Sequence, residues 1–142
     1  MITLAIIKPD AVAAGNAGKI LAHLEAAGFA VRAARLVRFS TAQAEAFYAV
    51  HRERPFFRSL VTFMTSGPAL AMALKRDGAV AALRDAIGAT DPAEAKAGTI
   101  RKLFAQSKER NAIHASDSDD NAAREVAFFF PEAELAELFR AG

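Results

Sequence analysis

The chain has 142 residues, of which 53% are hydrophobic and 24% charged, a composition that favours one globular domain over residues 1–142 and excludes a disordered chain. Its 18 basic residues are nearly balanced by 16 acidic ones, so the formal net charge of +2 is not by itself typical of a nucleic-acid-binding protein. The absence of cysteine excludes disulfides, thiolate zinc sites and cysteine nucleophiles.

The first part of the chain alternates strand and helix patterns. The apolar, β-branched run ITLAIIK predicts a buried strand that ends at Pro9, which lacks a backbone donor. GKILAHLEAAGF predicts a helix with Gly28 at its C-terminal cap, and AVRAARLVRF alternates apolar with basic residues as a half-exposed strand does. The inward-facing positions predicted for that strand are Val31, Ala33 and Leu36, with an irregularity near Ala34.

The middle of the chain contains cap residues, a period-two apolar stretch and a cluster of turn formers. The predicted segments are a helix from Thr41 to about Val50, a helix over RPFFRSLVTFM, a strand over PALAMALKR, a helix over GAVAALRDAIG that ends at Gly88, and a loop over ATDPAEAKAGT.

The last part of the chain predicts a short strand or extended piece at residues 112–114, a helix from about Asp119 to Phe130, and a tail. Strands interleaved with helices in so short a chain favour an α/β (α+β) two-layer sandwich. We expect a ferredoxin-like split βαβ fold with a four-stranded antiparallel sheet covered by helices.

Targeting signals are not evident in the sequence. The run ITLAII is followed at once by a lysine, a proline and an aspartate, and it has neither a basic leader nor a cleavage site. No stretch approaches the ~20 apolar residues of a membrane span. We therefore expect a cytoplasmic protein without a membrane partner.

One segment resembles a phosphate-binding loop, but the spacing of its glycines is wrong for that motif. AAGNAGKI has two residues between Gly15 and Gly18 where the phosphate loop needs four, and Ile20 stands where it needs Ser or Thr. A turn leading into a helix explains this segment better.

His114 stands in the polar stretch NAIHASDSDD. A neutral imidazole is a good phosphoryl acceptor, because one nitrogen can attack while a hydrogen bond to the other fixes the tautomer. If residues 119–130 are helical, Glu125 lies at the edge of a buried stripe of Ala122, Val126 and Phe129 and can point toward the histidine. The residues alone leave a second interpretation open, in which His114 is an ordinary loop residue and its polar neighbours only cap the helix.

Cationic and aromatic residues also allow two interpretations. Lys8, Arg84 and Arg101 would suit a polyphosphate if they converged, although each alone is an ordinary solvated charge. Phe56 and Phe57 point about 100° apart on a helix, so one can be buried while the other stays exposed. The exposed ring would then be either a core residue that is incompletely buried or a surface on which a base stacks.

Taken together, these segments resemble one family, the nucleoside diphosphate kinases, along nearly the whole chain. The matching segments are IIKPDAV at the first strand, FYAVHRERPFFRSLVTFMTSGP at the nucleotide-pocket helices, RDAIGATDPAEAKAGTIR at the phosphate-binding segment and NAIHASDS at the active-site signature.

The resemblance implies a role for each matched residue. His114 would accept the γ-phosphoryl group of a nucleoside triphosphate and pass it to a diphosphate in a ping-pong cycle. Glu125 would hold the other ring nitrogen with help from Ser116, and Tyr48 would lie close to the histidine. The implied nucleotide contacts are Lys8 to the γ-phosphate and sugar, Arg84 and Thr90 to the β-phosphate, Arg101 to the γ-phosphate, Asn111 to the sugar hydroxyl, and Phe56 and Leu60 to the base.

The resemblance also implies Mg²⁺ carried on the nucleotide's phosphates without dedicated protein ligands. The implied partners are nucleoside tri- and diphosphates, including ATP, and further copies of the chain in a homotetramer or homohexamer built from dimers. Three positions depart from the family's pattern: Ala115 and Ala11 replace glycines, and Leu103 replaces a common aspartate. An alanine at 115 is expected to restrict a positive φ there.

Two alternatives belong to other functional classes. A catalytically idle relative would bind single-stranded nucleic acid through the same aromatic and cationic residues. The presence of His114, Glu125, Lys8 and Arg101 together disfavours this, because binding alone needs no nucleophile. A phosphorelay histidine domain would be an all-helical bundle, which the predicted strands disfavour.

Overall fold

The first strand, β1 (Ile2–Ile7), lies at the centre of the fold in the computed structural model, which describes the backbone of residues 2–140 and the side chains of residues 2–136. It pairs antiparallel with β3 (Ala69–Lys75) on one side and with β4 (Ile113–Ala115) on the other. β2 (Ala30–Val37) pairs antiparallel with β3, which gives a four-stranded sheet in the order β2-β3-β1-β4. The predicted ferredoxin-like antiparallel sheet is confirmed. Residues 1, 141 and 142 of the predicted domain lie outside the described part.

Helices connect and cover these strands. Their bounds are α1 Pro9–Ala13, α2 Ala17–Ala26, α3 Thr41–Phe47, a 3₁₀ turn Ala49–His51, α4 Phe57–Met64, α5 Ala79–Ile87, α6 Ile100–Phe104, α7 Asp119–Phe129 and α8 Glu132–Arg140. Within the described residues, none of these helices is long and apolar enough to cross a membrane.

Strand β1 is buried on both faces because its side chains alternate between two apolar clusters. Leu4 and Ile6 pack with residues of α3, α4 and α7, whereas Ala5 and Ile7 pack with residues of α2 and α5. Helices therefore pack against both faces of the sheet.

The edge strand β2 departs from its predicted pattern. The register shifts between Val31 and Ala33, so the irregularity falls at Arg32 and not near Ala34. Ala33, which follows the shift, is 8% exposed, whereas Leu36 is 65% exposed, so the predicted inward orientation of Leu36 is wrong.

Several helix boundaries differ from the sequence expectation. Ser40, and not Thr41, caps α3 through a reciprocal pair of bonds with Gln43, and α3 ends at Phe47 before a 3₁₀ turn. Three further helices were not predicted: α1 and α6 lie in segments without a predicted element, and α8 lies in the segment predicted as a tail. Two of these, α1 and α6, have five residues each, too few to show a helical period in sequence.

The pairing of β1 with β4 builds the site. His114 lies opposite Ile6, and Ile113 opposite Ile7, so the end of β1 lies beside the start of β4. Lys8 and Ala112 meet at that edge, where the Lys8 amide donates to the Ala112 carbonyl at 2.9 Å. Residues 104 positions apart in sequence are thereby brought together.

Candidate active site

His114 is held by a carboxylate from the facing helix. Its Nε2 lies 2.7 Å from Oε1 of Glu125, and the Ser116 hydroxyl donates to the same oxygen at 2.8 Å. Glu125 is 6% exposed and sits on the buried face of α7 with Ala122 and Val126. Since an ionised carboxylate only accepts hydrogen bonds, Nε2 carries the ring proton and the lone pair of Nδ1 stays free.

The electrostatics of this pair favour a neutral ring beside an ionised acid. Burial lowers the pKa of His114, and the hydrogen bond and charge of Glu125 oppose that effect only in part. Burial acts against ionisation of Glu125, yet its bonds with His114 and Ser116 hold the pKa of this carboxyl below its usual value. Arg124 adds an ion pair at 3.6 Å to the other carboxylate oxygen.

Tyr48, the chain's one tyrosine, stands perpendicular to the histidine ring. The two ring centroids are 6.1 Å apart, and Phe47 contacts the same imidazole at 5.4 Å. The Tyr48 hydroxyl is buried and has no hydrogen-bond partner among the described residues. Burial, and then the charge of Glu125, raises the pKa of this phenol well above its usual range. The hydroxyl therefore stays protonated and is available as a donor.

Two arginines donate hydrogen bonds to backbone carbonyls on either side of His114. Arg101 donates to the carbonyls of Ile113 at 2.8 Å and Gly88 at 3.1 Å, and Arg84 donates to that of Ala115 at 3.3 Å. Each guanidinium has five N–H donors, so both retain donors for an anion. Burial, and then the charge of Arg84, lowers the pKa of Arg101 to about 10.

Lys8 provides a third cation at the same place. It is 7% exposed, and its Nζ donates to Oδ1 of Asn111 at 2.9 Å. Burial, and then the charge of Arg101, lowers the pKa of Lys8 to about 8, although Asp10 and Glu109 act in the opposite direction. The predicted cations thus lie around the histidine and repel one another, which favours binding of a polyanion.

A cleft of about 420 Å³ opens over these groups. The predicted site residues among its lining are Lys8, Tyr48, Phe56, Leu60, Thr90, Asn111 and His114. Thr90 also lines a neighbouring polar concavity of about 540 Å³ together with Arg84. Arg101, Ser116 and Glu125 are buried and are not among the residues that line this cleft. Arg101 bonds to the Ile113 carbonyl, and Ser116 bonds to Glu125, the partner of His114.

Of the two adjacent phenylalanines, one is buried and the other is exposed, as predicted. Phe57 is 7% exposed and belongs to the core, whereas Phe56 is 48% exposed and presents its ring to the cleft. A flat, half-exposed ring in a cleft provides a stacking surface for a base.

Three residues of the site were missed from the sequence. His51 lines the cleft with its ring 5.5 Å from that of Phe56, and Glu109 lines it while accepting a 2.5 Å bond from Ser59. Asp10 is buried behind Lys8, where it accepts from the Ala112 amide at 3.1 Å. Nothing in the spacing of these residues distinguishes them from surface charges, since their placement depends on contacts far apart in the chain.

The backbone geometry also differs from expectation. Ala115 lies in β4 without a positive φ, and the positive φ falls at Ala112, where φ is 74°. Of the other two departures, Leu103 is 56% exposed and Ala11 is buried. In the described residues, no group of three or more His, Cys, Asp or Glu side chains could hold a metal ion.

Comparison of the sequence with known proteins identifies one family. A family model described as "Nucleoside diphosphate kinase" matches residues 2–135. A curated relative of that name from Anaeromyxobacter sp. (strain Fw109-5) is 54% identical over 133 residues, which cover 94% of this chain and 91% of the relative.

Two solved structures match with high TM-scores. The nucleoside diphosphate kinase of Aquifex aeolicus has a TM-score of 0.92 and 46% identity, covering 94% of this chain and 96% of that one. The halophilic enzyme of Halobacterium salinarum, solved in complex with CDP, has a TM-score of 0.90 and 38% identity, covering 94% and 90%.

Proposed function

Because the chain belongs to the nucleoside diphosphate kinase family, whose reaction is reversible transfer of a γ-phosphoryl group through a phosphohistidine, we propose that His114 is the histidine that carries the phosphate. The observation that supports this is the 2.7 Å bond between Nε2 of His114 and Glu125. It leaves Nδ1 as the free nucleophile on a ring that lines the cleft.

In the first half of the cycle, the Nδ1 lone pair attacks the γ-phosphorus of a nucleoside triphosphate. The N–P bond forms as the bond between that phosphorus and the β–γ bridging oxygen breaks, and the electron pair leaves with the nucleoside diphosphate. The ring becomes cationic while Nε2 keeps its proton, and the Glu125 carboxylate stabilises that charge at 2.7 Å. The second half reverses these steps toward a different diphosphate.

The cations act mainly by alignment and charge stabilisation, which is what phosphoryl transfer requires. We assign Lys8 to the γ-phosphate and sugar, Arg84 and Thr90 to the β-phosphate, and Arg101 to the γ-phosphate. Arg101 and Arg84 also donate to the backbone carbonyls on either side of His114. The proposed phosphate-binding side chains are therefore bonded directly to the strand that carries the nucleophile. We propose that the Tyr48 hydroxyl, which is buried beside His114 without a partner among the described residues, donates to the transferred phosphoryl group.

Recognition of the nucleoside is proposed to be tolerant of base identity. Phe56 would stack on the base and Leu60 would line the slot, and Asn111 would meet the sugar hydroxyl beside Lys8. Stacking on a ring face reads no base edge, because every base has a π face. ATP is therefore one of several substrates in this proposal.

Enzymes of this family generally need a divalent cation, and we propose Mg²⁺, entering as part of the nucleotide complex. The donor set fits this, because phosphate oxygens are typical magnesium ligands and the described residues contain no acidic cluster to replace them. We further propose a cytoplasmic protein that acts as one domain and assembles into a homotetramer or homohexamer of dimers. Light scattering after gel filtration tests the assembly.

The assignment is tested with radiolabelled nucleoside triphosphate. The wild-type chain should acquire an acid-labile phosphoryl group, and His114→Ala should acquire none. His23→Ala is the matched control, since His23 lies outside the cleft and bonds to the Gly98 carbonyl. Persistent labelling of His114→Ala would remove the assignment, and an unlabelled wild-type chain would favour an idle nucleotide-binding relative.

A further inference from the structure

The backbone just before His114 is held in a rare conformation. The Ile113 amide donates to the Asn111 carbonyl at 2.9 Å, which closes a three-residue γ-turn centred on Ala112. With φ at 74°, this is the strained form of the turn, and Ala112 is the one non-glycine residue with positive φ in the described part of the chain. Such strain persists only when surrounding contacts impose it.

Asp10 supplies one of those contacts from the first turn of α1. Its Oδ2 accepts from the Ala112 amide at 3.1 Å, while the Ala112 carbonyl accepts from the Lys8 amide at 2.9 Å. Both backbone polar groups of the central residue, Ala112, are therefore bound to the segment that follows β1. Asp10 is 6% exposed, and its other oxygen is buried without a partner among the described residues. A buried carboxylate in this state is costly to stability, which indicates that its position serves the site.

The turn links two groups of the proposed mechanism. On one side, Asn111 has its side chain bonded to Lys8 at 2.9 Å. On the other side, Ile113 leads directly into His114 on β4. A change in the turn would move both the nucleophile and the sugar contact, and a displacement of about 1 Å can cost a factor of about 100 in rate.

We propose that Asp10 is a positioning residue for phosphoryl transfer, whose carboxylate holds the strained turn at Ala112 and thereby sets the placement of His114 and Asn111. This inference rests on the proposed role of His114. It assigns Asp10 no contact with the substrate, since the residue acts on the turn through the Ala112 amide.

The test compares Asp10→Ala with Asp10→Asn in single-turnover phosphorylation by a nucleoside triphosphate. Asp10→Ala should lower the rate constant at saturating nucleotide by about 100-fold, with a smaller change in KM, while the final yield of phosphohistidine per folded chain stays that of the wild type. Asp10→Asn keeps an acceptor oxygen and should stay within about 10-fold of the wild type. Asp91→Ala is the matched control, because it also removes a carboxylate-to-amide bond, to Ala93 at 3.0 Å, from an exposed loop.

Two further measurements separate positioning from general destabilisation. Hydrogen exchange of the Ala112 amide should accelerate in Asp10→Ala and not in Asp91→Ala. If Asp10→Ala folds poorly, Ala112→Gly in the same background should restore part of the rate, since glycine adopts a positive φ without strain. Equal losses in Asp10→Ala and Asp10→Asn with both folded, or an unchanged rate in folded Asp10→Ala, would overturn the inference. An unlabelled His114 in the wild type would instead overturn the proposed function.

Discussion

The Tyr48 hydroxyl gives a prediction in which stability and activity change in opposite directions. It is buried beside His114 and lacks a hydrogen-bond partner among the described residues. Leaving a buried hydroxyl unpaired costs about 1–3 kcal/mol. Tyr48→Phe removes that group while preserving the ring contacts with Phe47 and His114. The variant should therefore be more stable by up to this amount, which corresponds to a rise in Tm of about 3 to 9 °C.

The rate should fall in the same variant. In the proposed mechanism the hydroxyl finds its acceptor only when a phosphoryl group reaches the histidine. A hydrogen bond to a charged group contributes about 1.5–3 kcal/mol, so its loss should slow phosphorylation by about 10- to 100-fold. Because the pKa of this phenol is raised, it donates throughout the working pH range, and the deficit should not depend on pH.

Calorimetry gives the Tm and quenched-flow labelling gives the rate constant. Phe39 offers a matched control, because it is another buried ring in the same aromatic cluster without a hydroxyl. Phe39→Leu should lower Tm without a selective effect on the chemical step. If Tyr48→Phe lowered Tm, or left the phosphorylation rate unchanged, the hydroxyl would have a structural partner or no part in the transfer, and the reasoning would be refuted.

Three other perturbations test the same site. The value of kcat/KM should fall as pH rises through about 8, because Lys8 in the free enzyme loses its proton there, and a flat profile up to pH 10 would contradict this. Glu125→Gln removes the group that raises the pKa of His114, so the acid limb of kcat/KM should move to lower pH while transfer slows, and a limb that moves upward would contradict the assignment. Phe56→Ala should weaken nucleotide binding by about 1–3 kcal/mol with little base preference in titration calorimetry, whereas the buried control Phe57→Ala should instead cost about 3–5 kcal/mol of stability. A base-selective loss in Phe56→Ala would indicate readout of the base edge.

The parts of the fold that sequence predicts are those with a local signal. The continuous apolar run of β1 and the helical spacing of Ala122, Val126 and Phe129 on α7 are both local signals, and both elements are present. The helices α1 and α6 are too short to show such a period. The shift at Arg32 in β2 has no local signal, because it arises from pairing with β3.

The residues of the candidate site also differ in how far the sequence predicts their positions. The helical spacing of α7 predicts that Glu125 lies at the edge of the buried stripe and can point toward His114, and the 2.7 Å bond between them fits that prediction. The convergence of Lys8, Arg84 and Arg101 was left open by spacing and was implied by the family resemblance. Asp10 was missed, because a first-turn aspartate is ordinarily a solvent-exposed helix cap. Its burial follows from the β1–β4 pairing, which brings residue 112 against the end of β1.

The perpendicular packing of Tyr48 on the imidazole has a practical consequence for observing this enzyme. The chain has no tryptophan and one tyrosine, so, apart from the weak emission of its eleven phenylalanines, its near-ultraviolet emission originates from one ring packed against the group proposed to receive the phosphate. Intrinsic fluorescence of the unlabelled protein is then a direct optical record of that single position. Phosphorylation of His114 should therefore be visible as a change in the quenching of the tyrosine emission.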